Sequence, residues 1–195
     1  IEEFGGEITA LDPIGAQVSG IDLSAKDAPP PEVVDALERE MAHRGFLVFK
    51  NDTQLEPEEF LRASCLWGGR ELHSTHGVHP RTPGGNRHIF RLSNDERHGI
   101  PDVGPQWHND GSFLPATFSH SGYHIIRPAE NGGGTHFAHQ GLAFEAPRGR
   151  SAPDVADLAR TVQAQDSPPG AAGQISGEVV EGQPEGIGEL AQRGH

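Results

Sequence analysis

The stretch WHNDGSF, residues 107–113, places a histidine and an aspartate two positions apart, at His108 and Asp110. On a β-strand, residues i and i+2 point to the same face, so the imidazole and the carboxylate are expected side by side. They are two of the three groups of a 2-His-1-carboxylate facial triad, which holds Fe(II) and leaves three positions open. The spacing alone is a weak signal, because a surface histidine beside a turn-capping aspartate has the same pattern.

A second histidine pattern, H-x2-H-x2-H, lies upstream at His73, His76 and His79. One interpretation is a zinc-binding module. A loop of solvated or hydrogen-bonded histidines is the simpler interpretation, since histidine is common in both roles. The aromatic neighbours of the His-x-Asp pair, Trp107 and Phe113, are expected to pack in the core, and Phe113 can also form a pocket wall.

Composition excludes several classes of protein. The 195 residues are enough for one domain, and 26 Gly and 16 Pro favour a turn-rich β fold over a helix bundle. A net charge of -13 argues against a nucleic-acid-binding surface. The single cysteine, Cys65, excludes an intrachain disulfide framework and is expected to be buried. No membrane span or signal peptide is visible, so a cytoplasmic protein is expected, although the chain starts at Ile1 without a methionine.

The elements that must position these residues follow from periodicity and turn residues. Helices are predicted where Pro31 and Pro57 stand at a first turn and glycines follow the last apolar residue. Alternating or compact apolar runs predict a hairpin over 7–23, a buried strand over 46–50, and strands over 88–93 and 119–127. The glycines at 132–134 predict a tight turn into one more strand, and not a phosphate-binding loop, because no Lys-Ser/Thr follows.

The last 49 residues, 147–195, differ in composition from the rest. They contain eight Gly and five Pro but no Phe, Trp, Tyr, Met or Cys. A weak helical pattern covers APDVADLARTVQAQ, and the remainder has little apolar surface with which to offset chain entropy. We therefore expect 147–195 to be a largely irregular tail that supplies no core strands, with residues 166–195 lacking regular structure.

Four blocks in order resemble the TauD/TfdA family of Fe(II)- and 2-oxoglutarate-dependent dioxygenases. They are IGAQVSGIDLS, GFLVFKNDTQLEPEEFLRAS, WHNDGSF and ENGGGTHFAH, and the resemblance covers about residues 7–146. It implies a mainly β fold with flanking helices: a double-stranded β-helix, or jelly roll, in residues 1–146, incomplete in its second half. It also implies Fe(II) as the metal, 2-oxoglutarate and O2 as co-substrates, and a small organic molecule as the substrate.

Carried over to this chain, the resemblance makes His108 and Asp110 iron ligands and Thr135 a contact of 2-oxoglutarate. Substrate contacts are expected from a smaller set with weaker support: His73, His79, Phe113 and Arg127. By their charge alone, Arg91, Arg97 and Arg127 can pair with an acidic substrate, but an arginine is more often simply a surface charge.

The family pattern breaks after Pro147, where a second histidine ligand and an arginine that clamps 2-oxoglutarate are expected. His195 is the only histidine after His139, and Arg193 precedes it, which is the wrong order. Three explanations stay open: the chain is a fragment or frame-altered product, it is a non-catalytic member that acts by binding, or a second subunit of a homo-oligomer completes the site.

Overall fold

The structure is a computed structural model that describes residues 1–50, 54–68, 72–73, 82, 85–103, 106–110, 114–115, 117, 119–128, 134–145, 159–162 and 176–182. For 72–73, 159–162 and 176–182 it describes the main chain alone. The described helices are α1 (Pro31–Arg44), α2 (Pro57–Ser64) and α3 (Gln140–Glu145). The described strands are β1 (Glu7–Ala10), β2 (Ala16–Ser19), β3 (Leu47–Phe49), β4 (Leu72–His73), β5 (Phe90–Ser93), β6 (His120–Arg127), β7 (Thr135–Ala138), β8 (Ala159–Val162) and β9 (Ser176–Gly182).

The chain divides into two compact units, and the first contains β1, β2, β3, α1, β7, α3 and β8. Strands β1 and β2 form the predicted antiparallel hairpin, and β3 pairs in parallel with β2 after the α1 crossover. The apolar faces of β2 and α1 meet here, burying Ala16, Val18, Val33 and Leu37. Strand β3 was expected to be fully buried, but it is only half-buried, because it pairs with β2 alone in the described sheet.

Helix α1 begins and ends where its sequence predicts. Pro31 occupies the first helical turn, where its missing N–H leaves no hydrogen bond unmade. Gly45 follows the last residue with φ 93°, and its N–H donates to the carbonyl of Met41 at 2.7 Å. A glycine suits this position because residues with a Cβ rarely adopt positive φ.

The second unit is built on a sheet in which β9 is central. Strand β6 pairs with one edge of β9, and β4 and β5 pair with the other edge at opposite ends, all antiparallel. Helix α2 supplies the apolar cover: Phe60 and Leu61 cluster with Leu55 and Ile89, and Leu23 packs against them. A reciprocal capping box between Glu56 and Glu59 satisfies the first N–H groups of α2.

The expectation for the C-terminal tail is wrong in two described segments. The helical pattern predicted over 152–165 gives way to β8 at Ala159–Val162, which pairs with β7. Regular structure also exists beyond residue 166, because Ser176–Gly182 forms β9. The reason is that a strand joined to neighbours is stabilised by main-chain hydrogen bonds, which a count of apolar side chains does not include.

The predicted fold class is confirmed in its coarse form, as a strand-containing fold with flanking helices. The rest of the tail lies outside the described residues, in the segments 147–158, 163–175 and 183–195, and so do Arg193 and His195. The jelly-roll arrangement stays a prediction.

Candidate metal centre

His108 and Asp110 lie in the connection between β5 and β6, within the second unit. The prediction of a strand at His108 and Asp110 is wrong, because the backbone of 107–109 is irregular and Asp110 lies in a turn. Asp110 is followed by Gly111 in sequence, and an Asp-Gly pair favours a turn over continued extension. The two side chains nevertheless meet, with Nε2 of His108 3.2 Å from Oδ1 of Asp110.

The orientation of the His108 ring is set by its own loop. Its Nδ1 lies 2.6 Å from the carbonyl oxygen of Gln106, two residues earlier. A carbonyl oxygen accepts hydrogen bonds and cannot donate, so Nδ1 carries the proton of this contact. In the neutral ring, Nε2 then presents its lone pair towards Asp110. A histidine that binds a metal usually directs its other nitrogen to such a partner.

Asp110 is held on its other side by a residue from β6. The hydroxyl of Tyr123 donates to Oδ2 of Asp110 at 2.8 Å, while Oδ1 faces His108. The sequence does not predict Tyr123 as a site residue, because Tyr123 lies thirteen residues from Asp110 with no characteristic spacing. Its position on a strand face, beside the metal motif in chain order, is the only sequence signal it carries.

The alternation of β6 explains why Tyr123 is available to the site. Tyr123 is 43% exposed, whereas its neighbour His124 points to the other face and packs against Phe60, with ring centroids 5.4 Å apart. The N–H of Leu55 donates to Nε2 of His124 at 3.3 Å. One face of β6 therefore anchors the sheet on α2, and the other presents the phenol to Asp110.

The donor set fits a divalent metal. A lone pair on Nε2 and a carboxylate oxygen at 3.2 Å are both electron-rich, and a proton or a cation between them satisfies both. Adjacent ligands with bonds of roughly 2.1 Å lie about 3 Å apart, which matches this separation. The His108 side chain is 49% exposed and the Asp110 side chain is 27% exposed, so a small ligand can reach both. Within the described part of the chain, no third His, Cys, Asp or Glu joins the pair.

The described structure does not test the other residues predicted for the site. Thr135 is the exposed first residue of β7 and belongs to the first unit. Arg127 is the exposed last residue of β6. His73 lies in β4, opposite Glu181 in the register, and its side chain is not described. His76, His79 and Phe113 lie outside the described residues, so the zinc module and the pocket wall stay predictions.

Three other residues singled out in the sequence, Trp107, Cys65 and Arg97, can be compared with the structure. Trp107 was expected in the core but is 61% exposed, because the irregular loop turns it outward. Cys65 is partly buried and not fully buried, since it follows the end of α2. Arg97 is engaged with Asp95 in a two-pronged ion pair at 2.6–3.2 Å, and this hydrogen bonding holds the pKa of the Asp95 carboxyl below its ordinary value.

Comparisons with known proteins define the class and then the family. The fold is similar to that of AAD-2, whose crystal structure is in complex with Mn(II) and N-oxalylglycine, with a TM-score of 0.61, 13% sequence identity and 92% coverage of both chains. Residues 7–172 match the family described as taurine catabolism dioxygenase TauD, TfdA family. This chain belongs to the TauD/TfdA family of dioxygenases, and the match continues past residue 146, where the resemblance in sequence was expected to stop.

One further prediction concerns membranes. In the described part of the chain, no helix combines the length and apolar character that a membrane crossing requires.

Proposed function

We propose that this protein is an Fe(II)- and 2-oxoglutarate-dependent dioxygenase that hydroxylates a small organic molecule and produces succinate and CO2. Membership of the TauD/TfdA family supports this chemistry. A structure of similar fold holds Mn(II) and N-oxalylglycine, an analogue of 2-oxoglutarate, which supports the same co-substrate here. When bound, Fe(II) together with 2-oxoglutarate activates O2 for attack on the substrate. The single observation that carries the proposal is the His108–Asp110 pair, whose facing Nε2 and Oδ1 atoms lie 3.2 Å apart on partly exposed side chains.

The two residues hold the metal in different ways. When a metal is bound, His108 would offer it the lone pair of Nε2, because Nδ1 donates to the carbonyl of Gln106. Asp110 offers a negative charge, which offsets part of the charge of a divalent ion. Since Nδ1–H points into the loop, His108 acts as a ligand and not as a proton donor to the substrate.

Most of the remaining assignments rest on the family resemblance. By that resemblance Thr135 contacts 2-oxoglutarate, and His73 or His79 contacts the organic substrate. Phe113 and Arg127 are added as substrate contacts because of their side-chain chemistry, an aromatic pocket wall and a cation for an acidic substrate. The third protein ligand and the arginine that clamps 2-oxoglutarate are assigned to no residue. A second copy of the chain can supply them, and for this reason homo-oligomerisation belongs to the proposal.

The test is anaerobic addition of Fe(II) and 2-oxoglutarate, followed by absorption spectroscopy. The bound pair gives a weak visible metal-to-ligand charge-transfer band in the wild type. The band is lost in Asp110→Ala and His108→Ala, and it is retained in His43→Ala, a matched control because His43 is exposed on α1. An undiminished band in Asp110→Ala removes Asp110 from the metal site.

Two further measurements separate this function from the alternatives. Release of succinate and CO2 above the background of free iron distinguishes an enzyme from a non-catalytic family member that only binds. A structural zinc module built on His73, His76 and His79 instead predicts one tightly bound Zn2+ that survives Asp110→Ala but is lost in His76→Ala.

A further inference from the structure

The contact between Tyr123 and Asp110 joins two parts of the chain with different degrees of order. Asp110 lies in a turn of the connection between β5 and β6, outside the sheet. Tyr123 lies in the middle of β6, opposite Val179 of β9 in the register. Its 2.8 Å hydrogen bond to Oδ2 therefore ties the carboxylate to the regular sheet.

The same contact divides the work between the two carboxylate oxygens. Oδ2 accepts the hydroxyl of Tyr123, and Oδ1 is the atom that faces Nε2 of His108 at 3.2 Å. Because a hydrogen bond from an O–H to a charged oxygen is strong and directional, it resists rotation of the carboxylate about its last bond. A carboxylate free to rotate could offer both oxygens to a metal, or neither at the right distance.

We propose that Tyr123 is a positioning residue for Asp110, whose carboxylate its hydroxyl holds with Oδ1 facing Nε2 of His108, the arrangement that would bind the metal. The inference rests on the proposed function, in which Asp110 is a metal ligand. The carbonyl of Gln106 plays the corresponding part for His108, which it orients from within the loop. The two ligands thus have one orienting group each, a local one for His108 and one from the sheet for Asp110.

The size of the effect follows from this role. Groups that orient metal ligands typically change metal affinity by about 10- to 100-fold when they are removed. Tyr123 is 43% exposed and Asp110 partly exposed, so water can replace the lost hydrogen bond and the fold has little to lose. Tyr123→Phe, which removes one oxygen atom, is therefore expected to weaken metal binding and leave the unfolding temperature nearly unchanged.

The experiment measures Mn2+ binding without any turnover. Free Mn2+ gives an electron paramagnetic resonance signal that is lost on binding, so a titration yields the dissociation constant directly. Wild type, Tyr123→Phe and Ser121→Ala are compared, and circular dichroism follows their thermal unfolding. Ser121 is the matched control, since it is exposed on the same strand and the same face, two residues before Tyr123.

The expected result is a dissociation constant about 10- to 100-fold higher in Tyr123→Phe and unchanged in Ser121→Ala. Wild-type affinity in Tyr123→Phe overturns the positioning role and leaves the proposed function intact. Absence of any saturable Mn2+ binding in the wild type overturns the metal site, and with it both proposals.

A second measurement keeps the inference testable if Tyr123→Phe does not fold. Tyr123 is the single tyrosine of the chain, so the tyrosine doublet of an ultraviolet resonance Raman spectrum reports on it alone. The doublet is expected to show a phenol that donates to a charged acceptor in the wild type. It is expected to change towards the pattern of a solvated phenol in Asp110→Ala. Identical doublets in the two proteins contradict the contact on which the inference depends.

Discussion

The carbonyl oxygen of Gln106 lies 2.6 Å from Nδ1 of His108, within a loop that forms no strand. This short local contact sets which nitrogen of the ring is protonated, and so which one faces Asp110. The half of the site around His108 is therefore built from residues 106–110, whereas the half around Asp110 depends on Tyr123 from β6.

The charge of Asp110 can be separated from its shape. Asp110→Asn keeps the size of the side chain and an oxygen that can still accept from Tyr123, but it removes the negative charge. We expect Mn2+ affinity to fall by more than roughly 10-fold, since loss of a ligand's charge exceeds the loss of an orienting partner. The unfolding temperature should stay close to that of the wild type. Equal Mn2+ affinity in the two proteins would show that the carboxylate does not bind the metal.

The Asp95–Arg97 pair predicts a defined response to acid. The hydrogen bonds from Arg97 lower the pKa of the Asp95 carboxyl from its ordinary value of 3.8. Because the folded pKa is lowered, the contribution of this pair is complete above pH 3.8 and is lost as pH falls towards the folded pKa. Carboxyl-carbon chemical shifts followed against pH should place the midpoint of Asp95 below 3.8.

The matched variant for that titration is Arg97→Gln. It removes the charged partner from the surface, and the Asp95 midpoint is then expected to rise towards the ordinary range. A midpoint that does not move between the two proteins argues that Arg97 is not the cause of the shift.

Gly15 is predicted to tolerate no side chain. Its φ is +87°, and a Cβ placed there would lie 2.3 Å from the ring of Phe46. Gly15→Ala should cost about 1–2 kcal/mol for the left-handed backbone and about 1–3 kcal/mol more for the clash with the ring. Denaturant unfolding followed by circular dichroism measures the loss.

Gly5→Ala is the control for the clash at Gly15. Gly5 also has positive φ, +76°, but nothing lies within 4 Å of its added Cβ. It should show the backbone contribution alone. Equal losses in the two variants would mean that the Phe46 ring moves aside without cost.

Strand β9 is predicted to support the site although it lies in the unusual tail. Val179 pairs with Phe90 of β5 and with Tyr123 of β6, so its main chain lies in the middle of the sheet. Val179→Pro removes an N–H from a central strand, where proline is not tolerated, and each unpaired partner costs about 1–3 kcal/mol. We expect lower stability and weaker Mn2+ binding, because β6 carries Tyr123.

Val179→Ala is the comparison variant for β9, since it shortens the side chain but keeps the N–H. It should retain most of the Mn2+ affinity. If Val179→Pro binds Mn2+ as tightly as Val179→Ala does, β9 does not hold Tyr123 in place.

Local sequence determined much of this protein. Proline at the first turn and glycine after the last turn predicted α1, and apolar alternation predicted β5 and β6 to within two residues. The helix ends depend on residues close in the chain, and the alternation records which side of a strand is apolar, so both can be read without knowing the partner strand. The ordered blocks around His108 and Asp110 likewise predicted the TauD/TfdA family, which the family match over residues 7–172 confirms.

Tertiary structure decided the geometry of the His108–Asp110 pair and the existence of β9, which local sequence patterns did not predict. The His-x-Asp pair meets across a turn and not on a strand, because the contact to Gln106 and the hydroxyl of Tyr123 orient the two side chains. Strand β9 forms in a segment whose composition predicted none, because its main chain pairs with β4, β5 and β6 on both edges. In both cases the stabilising partner is distant in sequence or belongs to the main chain, and neither leaves a mark in the spacing of side chains.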